Sequence, residues 1–297
     1  MKDAKIKISC NYLKRRFISL FALTILVVSV FFAGVSCIDG VDGNSSDDPF
    51  GNRIVVVAVN PDIQSGNGSG DSEIQVLVNP DTVPDGSTVL FELNSPNSLP
   101  SNLRGCITDA DGFIVGSEAF ANYLAGINIA SGAELSSDEP PIATVNIGAT
   151  VTPPGENPGS NFDTVILTPV GLIPPEDTTI EVPIVIDEMT MMPVCESGVF
   201  LSLEFAAVGL PEGTEVNFTL LDSGLGTIAP NPAFVTGGSV VTQYTVPNCE
   251  TGTQSITATA ILPNPFDFDP SCPNVPEADR TVQEIIVITQ TAPTDGG

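Results

Sequence analysis

The segment Val83-Pro84-Asp85-Gly86-Ser87-Thr88-Val89-Leu90-Phe91-Glu92-Leu93 returns 127 positions later as Leu210-Pro211-Glu212-Gly213-Thr214-Glu215-Val216-Asn217-Phe218-Thr219-Leu220. A second echo, Ile147–Val151 with Ile256–Ala260, falls at an offset of 109. One structural unit written twice in a chain of 297 residues predicts a tandem of similar domains. The smaller second offset places about 18 extra residues in the first copy, between the two echoes.

Around the echoes the chain breaks into short β-rich runs. The first copy carries Asn52–Val59, Ser72–Val78, Thr88–Leu93, Thr144–Val151 and Thr164–Thr168. The second carries Thr179–Ile186, Val199–Val208, Glu215–Leu221, Val240–Val246, Gln254–Leu262 and Thr281–Thr289. Alternation is clear where Ile256, Ala258 and Ala260 interleave with threonines. Runs of this length, separated by Gly, Pro, Asn and Asp, predict all-β sandwiches rather than helices. The expected layout is a first domain over 52–172, a second over 173–291 and a short tail, 292–297. The extra residues of the first copy fall near 103–140. There Cys106 to Val115 reads as a hairpin with an Asp-Gly turn. Ser117 reads as the cap of a short helix with Phe120, Tyr123, Leu124 and Ile127 on one face and Gly126 near its end.

The N-terminus has a different character. Of the nine basic residues, Lys2, Lys5, Lys7, Lys14, Arg15 and Arg16 precede an apolar stretch, Phe17 to Ala33, which ends in Gly34-Val35-Ser36-Cys37. Basic head, apolar run and small residues describe an export signal over 1–36. Val35, Ser36 and Cys37 resemble the end of a bacterial lipoprotein signal, in which the cut falls before a cysteine that then carries lipid. The rival reading is an uncleaved anchor, since about 20 apolar residues span a bilayer. Either way the rest of the chain is tethered outside the cell, through a Gly/Ser/Asn/Asp stalk over 37–51. Ile38, in place of an aspartate after the cysteine, points to the outer membrane or cell surface.

Beyond residue 36 only Arg53, Arg104 and Arg280 face 35 acidic residues, a net charge of −32, and there is no lysine, histidine or tryptophan. Such a surface repels phosphate backbones, which excludes nucleic acid as a partner. Lacking histidine and lysine, this part cannot run serine–histidine, cysteine–histidine or Schiff-base chemistry. No enzymatic activity is expected. Gly66-Asn67-Gly68-Ser69-Gly70 leads into a strand, with no lysine after it, and so reads as a connection rather than a phosphate cradle. Calcium is the one ligand this oxygen-rich chain suits. Asp109-Ala110-Asp111-Gly112 is a fragment of a calcium-loop pattern without the distal glutamate, and it reads equally as a turn. Asp109 and Asp111 are the candidate ligands.

The second copy resembles the bacterial Ig-like domains of the invasin and intimin type. The resemblance is carried by Gly213–Phe218, Gly226-Thr227-Ile228-Ala229-Pro230, Thr236-Gly237-Gly238, Val241-Thr242-Gln243-Tyr244-Thr245 and Gly252 through Ala260. It covers about 179–290 and, more faintly, 52–169. It implies Greek-key sandwiches used as spacers or adhesion modules, and no catalytic residues.

Four cysteines follow Cys37: Cys106, Cys195, Cys249 and Cys272. An even count in an exported chain predicts two disulfides. Zinc lacks histidine partners and C-x-x-C spacing here. In a Greek-key sandwich, strand parity assigns each loop to one end. Cys195 and Cys249 then share one end of the second domain, while Cys106 and Cys272 face each other across the domain junction. The expected bonds are Cys195–Cys249 and Cys106–Cys272. The rival is Cys249–Cys272, closed by the long loop after Leu262. The expected function is an envelope-anchored structural or interaction module with an unidentified envelope or surface protein partner. The alternative is a calcium-dependent extracellular ligand-binding module.

Overall fold

The computed structural model describes residues 54–65, 71–94, 99–195, 198–221, 226–246, 250–266 and 270–292, without the side chains of 184, 186, 193 and 195. The export signal, Cys37, the stalk, the Gly66–Gly70 segment and Cys249 lie outside the described residues.

Residues 54–168 form two facing sheets. One holds, in spatial order, β1 (Ile54–Ala58), β3 (Asp71–Val78), β7 (Glu118–Ala125) and β5 (Gly105–Thr108). The other holds β2 (Asp62–Gln64), β9 (Gly159–Thr168), β8 (Ala143–Thr152), β4 (Thr88–Asn94) and β6 (Asp111–Phe113). Strand period sets the core: in β8 every second residue, from Ala143 through Val145, Ile147 and Ala149 to Val151, is buried. These residues meet Ile74, Val76, Ala121 and Tyr123 from the opposite sheet in one apolar cluster.

Residues 171–291 repeat the plan strand for strand. One sheet is β10 (Gly171–Ile173), β14 (Phe200–Val208), β18 (Ser239–Thr245) and β16 (Thr227–Ala229). Its partner is β11 (Thr179–Glu181), β20 (Thr281–Thr291), β19 (Gly252–Ile261), β15 (Glu215–Leu220) and β17 (Ala233–Phe234). Even the rarer parallel pairing recurs, β2 with β9 and β11 with β20. The chain is therefore a tandem of two Ig-like Greek-key sandwiches. One extra hairpin, β12 (Ile184–Ile186) with β13 (Pro193–Cys195), forms a two-stranded sheet of its own.

Pairing register fixes the equivalences. Thr88 and Glu215, 127 apart, pair with Phe113 and Phe234, which are 121 apart. Ile107 pairs with Tyr123 and Ile228 with Tyr244, again 121 apart. The two tyrosines beyond residue 36 thus occupy one position of the repeat, each fully buried. The residue facing each ring is glycine for a steric reason. A Cβ on Gly105 would stand 2.4 Å from the Tyr123 ring, and one on Gly226 would stand 2.2 Å from the Tyr244 ring.

Two local expectations are corrected. Residues 118–125 are strand β7, not a helix, and Ser117 sits in the preceding turn at φ 74 instead of capping anything. The helix of the first domain, α1, lies further on at Gly132–Leu135, where Ser131 and Glu134 make a reciprocal capping box. Cys106 to Val115 is not a hairpin either. Strand β5 pairs with β7 in one sheet and β6 with β4 in the other. Asp109, at φ 57, turns the chain between the sheets.

The surplus of the first copy is correspondingly not one block near 103–140. The offset falls from 127 at β4/β15 to 121 at β5/β16, then to 109 at β8/β19. Six extra residues precede β5 and twelve follow β7. The second copy has its own surplus. The offset rises to 123 at β9/β20, so the β19–β20 loop is fourteen residues longer than its counterpart. It also rises from 117 at β2/β11 to 129 at β3/β14, a difference of twelve residues that contains the β12–β13 hairpin.

Candidate functional site

Three of these four departures from the repeat converge on one place, the junction between the sandwiches. The loop before β5 brings Leu103 and Asn102. The segment after β7 brings Ile127 and α1. The β19–β20 loop brings Cys272 and Asp279. Cys106 in β5 is bonded to Cys272, with Cα atoms 5.8 Å apart and 166 residues of separation. Both cysteines are buried.

The bond sits in an apolar seam. Cys106 and Ile127 belong to the same buried cluster as Leu203, Phe205, Phe218, Leu262 and Val275, with Leu103 and Leu124 packed against it. The first domain thus contributes side chains to the core of the second. Polar contacts flank the seam. Asn102 Nδ2 donates to Asp279 Oδ2 at 2.5 Å, across 177 residues of sequence. The N–H of Gly132, at the start of α1, donates to Glu284 Oε2 at 2.8 Å. That N–H is one of the donors a helix start leaves without a partner inside the helix. A side chain at Gly132 is sterically excluded, because its Cβ would stand 2.5 Å from Pro174 and 2.9 Å from the Leu172 carbonyl.

The link between the domains is short and hydrogen-bonded to two segments of the first domain, the one after β7 and the end of β2. The N–H of Val170 donates to the Asn128 carbonyl at 2.8 Å, and the N–H of Ala130 donates to the Val170 carbonyl at 3.0 Å. Ser65 Oγ donates to the Thr168 carbonyl at 2.7 Å, and Gln64 Nε2 donates to the Pro169 carbonyl at 3.1 Å. Val170 itself is completely buried. A linker held this way is part of a packed interface and not a hinge.

Of the residues singled out in the sequence, Cys106 and Cys272 are brought together. Cys195 ends β13, and Cys249, the partner expected for it, lies outside the described residues. Asp109 and Asp111 are both exposed, at the crossing between the two sheets. Among the described residues, no three His, Cys, Asp or Glu side chains gather as a metal-ligand set. No helix among them is long and apolar enough to cross a membrane. Sequence reading missed Asn102, Gly132, Asp279 and Glu284, and placed Ile127 on a helix face instead of in the seam. The available signal was their position: all but Glu284 lie where the two copies differ in length.

No family model matches the chain, and no curated protein matches it. Solved structures with a similar fold include the D00-D0 domain of Intimin, at 12% identity over 80% of this chain and 99% of that one, with a TM-score of 0.30. The D0-D1 domain of Intimin matches at 12% identity over 79% and 97%, with a TM-score of 0.26. The E. coli chaperone DraB matches at 13% identity over 78% and 97%, with a TM-score of 0.28. At these scores the likenesses carry no argument, and the fold rests on the strand order and register described above.

Proposed function

We propose that the chain is a non-catalytic structural and interaction module of a bacterial envelope, anchored through Cys37 at the outer membrane or cell surface. Its two sandwiches act as one unit that holds an interaction surface at a fixed distance from the membrane. The observation that carries this reading is the junction. Residues inserted into each copy are spent on welding the copies together, by the Cys106–Cys272 bond, the shared apolar seam and the contacts of Asn102 and Gly132. A tandem that needed independent domains would have no use for them. The absence of histidine and lysine beyond residue 36 supports a role without catalysis.

Two experiments test the two halves of the reading. Spin labels introduced as non-natural amino acids at the exposed Ser160 and Thr219, one per domain, report the inter-domain distance distribution. It is narrow in the native protein and broadens in Cys106→Ala/Cys272→Ala. A broad distribution in the native protein removes the rigid-spacer reading. Separately, Cys37→Ser releases the protein from membranes or blocks its processing. Normal maturation with membrane retention assigns an uncleaved anchor in place of the lipid.

A further inference from the structure

The fourth departure from the repeat supplies none of the junction contacts described above. It is the β12–β13 hairpin, inserted between β11 and β14 of the second domain and paired only with itself. Its tip reads Asp187-Glu188-Met189-Thr190-Met191-Met192. Besides Met1, the chain has three methionines, and all of them stand in this tip. Met189 is 93%, Met191 76% and Met192 65% exposed.

Methionine in a domain normally fills irregular gaps in a core. These three fill none, and side chains left in water this way forgo the stabilisation that burial would bring. Their loop is nonetheless well defined. The N–H of Asp187 donates to the Met192 carbonyl at 3.0 Å, and the N–H of Met191 donates to the Asp187 carbonyl at 2.7 Å. The Asp187 carboxylate accepts from the Met189 N–H at 2.9 Å and from Thr190 Oγ1 at 2.7 Å. These bonds, that from Thr190 first, hold its carboxyl below the usual range. Met191 takes a left-handed conformation, φ 56, that closes the turn. Adjacent Cα atoms are about 3.8 Å apart, so the three Cα atoms lie within roughly 11 Å along the chain and nearer across a closed turn. Each side chain then adds three rotatable bonds of reach.

We propose that this tip binds Cu(I), with the thioethers of Met189, Met191 and Met192 as ligands. Thioether sulfur is a soft donor that favours Cu(I) over the hard cations that oxygen ligands take. Thioethers do not titrate, so binding holds across the acid range in which imidazole and thiolate sites fail. The strongly negative exported chain, with Asp187 and Glu188 in the loop itself, raises the local cation concentration.

The test uses full-length protein with its free thiols alkylated and Ag(I) as a redox-inert probe of the same softness. Calorimetry and native mass spectrometry should show one Ag(I) per chain, unaffected by millimolar zinc or calcium and unchanged between pH 5 and 8. Binding should weaken at least tenfold in Met189→Leu/Met191→Leu/Met192→Leu, which keeps the apolar area and removes the sulfur. Methyl-13C methionine spectra of the native protein should show three resonances shifting together with silver. Competition with a chromogenic Cu(I) chelator then extends the result to copper. Undiminished silver binding by the leucine variant, or silver binding without methionine shifts, overturns the proposal. So does displacement by zinc. No silver binding at all would leave the tip as an apolar contact surface, and would equally overturn it.

Discussion

Removing the junction disulfide by Cys106→Ala/Cys272→Ala should be the most destabilising pair of changes short of emptying a core. The bond closes a loop of 166 residues, which spans β6 to β9 of the first sandwich and nearly all strands of the second. In the chain-entropy model a loop of that length restrains the unfolded chain by about 5 kcal/mol. The bond also constrains partial unfolding. If only the second sandwich opens, the chain from the folded β9 to Cys272 is still a closed loop of about 100 residues, worth nearly as much. Measured costs for native disulfides run about 2–5 kcal/mol. For a folded unit of this size each kcal/mol moves the midpoint by about 2–4 °C. The double variant should therefore melt roughly 4–20 °C below the native protein, with Asn102–Asp279 and Gly132–Glu284 still in place. Differential scanning calorimetry without reductant measures it. A fall of less than about 3 °C would refute the reasoning, because it would mean that the junction holds the domains equally well without the bond.

The two glycine–tyrosine pairs, with the uncrowded Gly86 as reference, give a graded series. Gly86→Ala meets no atom but has φ +85, so it should cost about 1 kcal/mol. Gly226→Ala must displace the Tyr244 ring and should cost about 2–3 kcal/mol, while Gly105→Ala carries both penalties. Denaturant midpoints that rank the three otherwise contradict the packing. Burial pushes the Tyr123 hydroxyl, and that of Tyr244, above the ordinary tyrosine value. Stability should be intact below the unfolded value of about pH 10 and fall as pH rises through the folded values, and Tyr123→Phe should flatten that fall in urea titrations between pH 8 and 11. For calcium, ligation by Asp109 and Asp111 requires that millimolar calcium raise Tm more than sodium at matched ionic strength, and that Asp111→Asn abolish the difference. Equal shifts remove that site. Peptide mapping without reduction should yield a 106–272 linked peptide together with a 195–249 one, and a 249–272 peptide would contradict both.

The repeat was legible where large residues carry it, as in Val89 and Phe91 against Val216 and Phe218. It was hidden in β7. There the inward positions are Ala119, Ala121, Tyr123 and Ala125, and alanine gives little two-residue contrast while favouring a helix. Phe120, half-exposed on the other face, then falsely completed a helical spacing. Comparing Phe113, Gly116 and Tyr123 with Phe234, Gly237 and Tyr244 would have exposed the strand, because all three pairs are 121 apart. The α1 cap was present in the sequence as Ser131 with Glu134, but a single turn buries too little to leave a periodic signature. Beyond the length difference that marks the loops of Asn102 and Asp279, neither these two nor Glu284 carried a signal in the surrounding residues. Their partners lie 150 or more residues away, and only a folded junction brings them together.

In the proposed role the protein would work under load, drawn between its anchor and whatever holds its far side. Traction applied at the two ends of the folded unit reaches the Cys106–Cys272 bond before most of the fold. Only the strands before Cys106 and the segment after Cys272 can be peeled away. The 166 residues between them stay slack behind a covalent shunt. Fully drawn out they would add roughly 550–600 Å of length. The bond withholds that length, so a pulled molecule would yield by a short, fixed increment and then stop, and reduction would convert it into a long extensible leash.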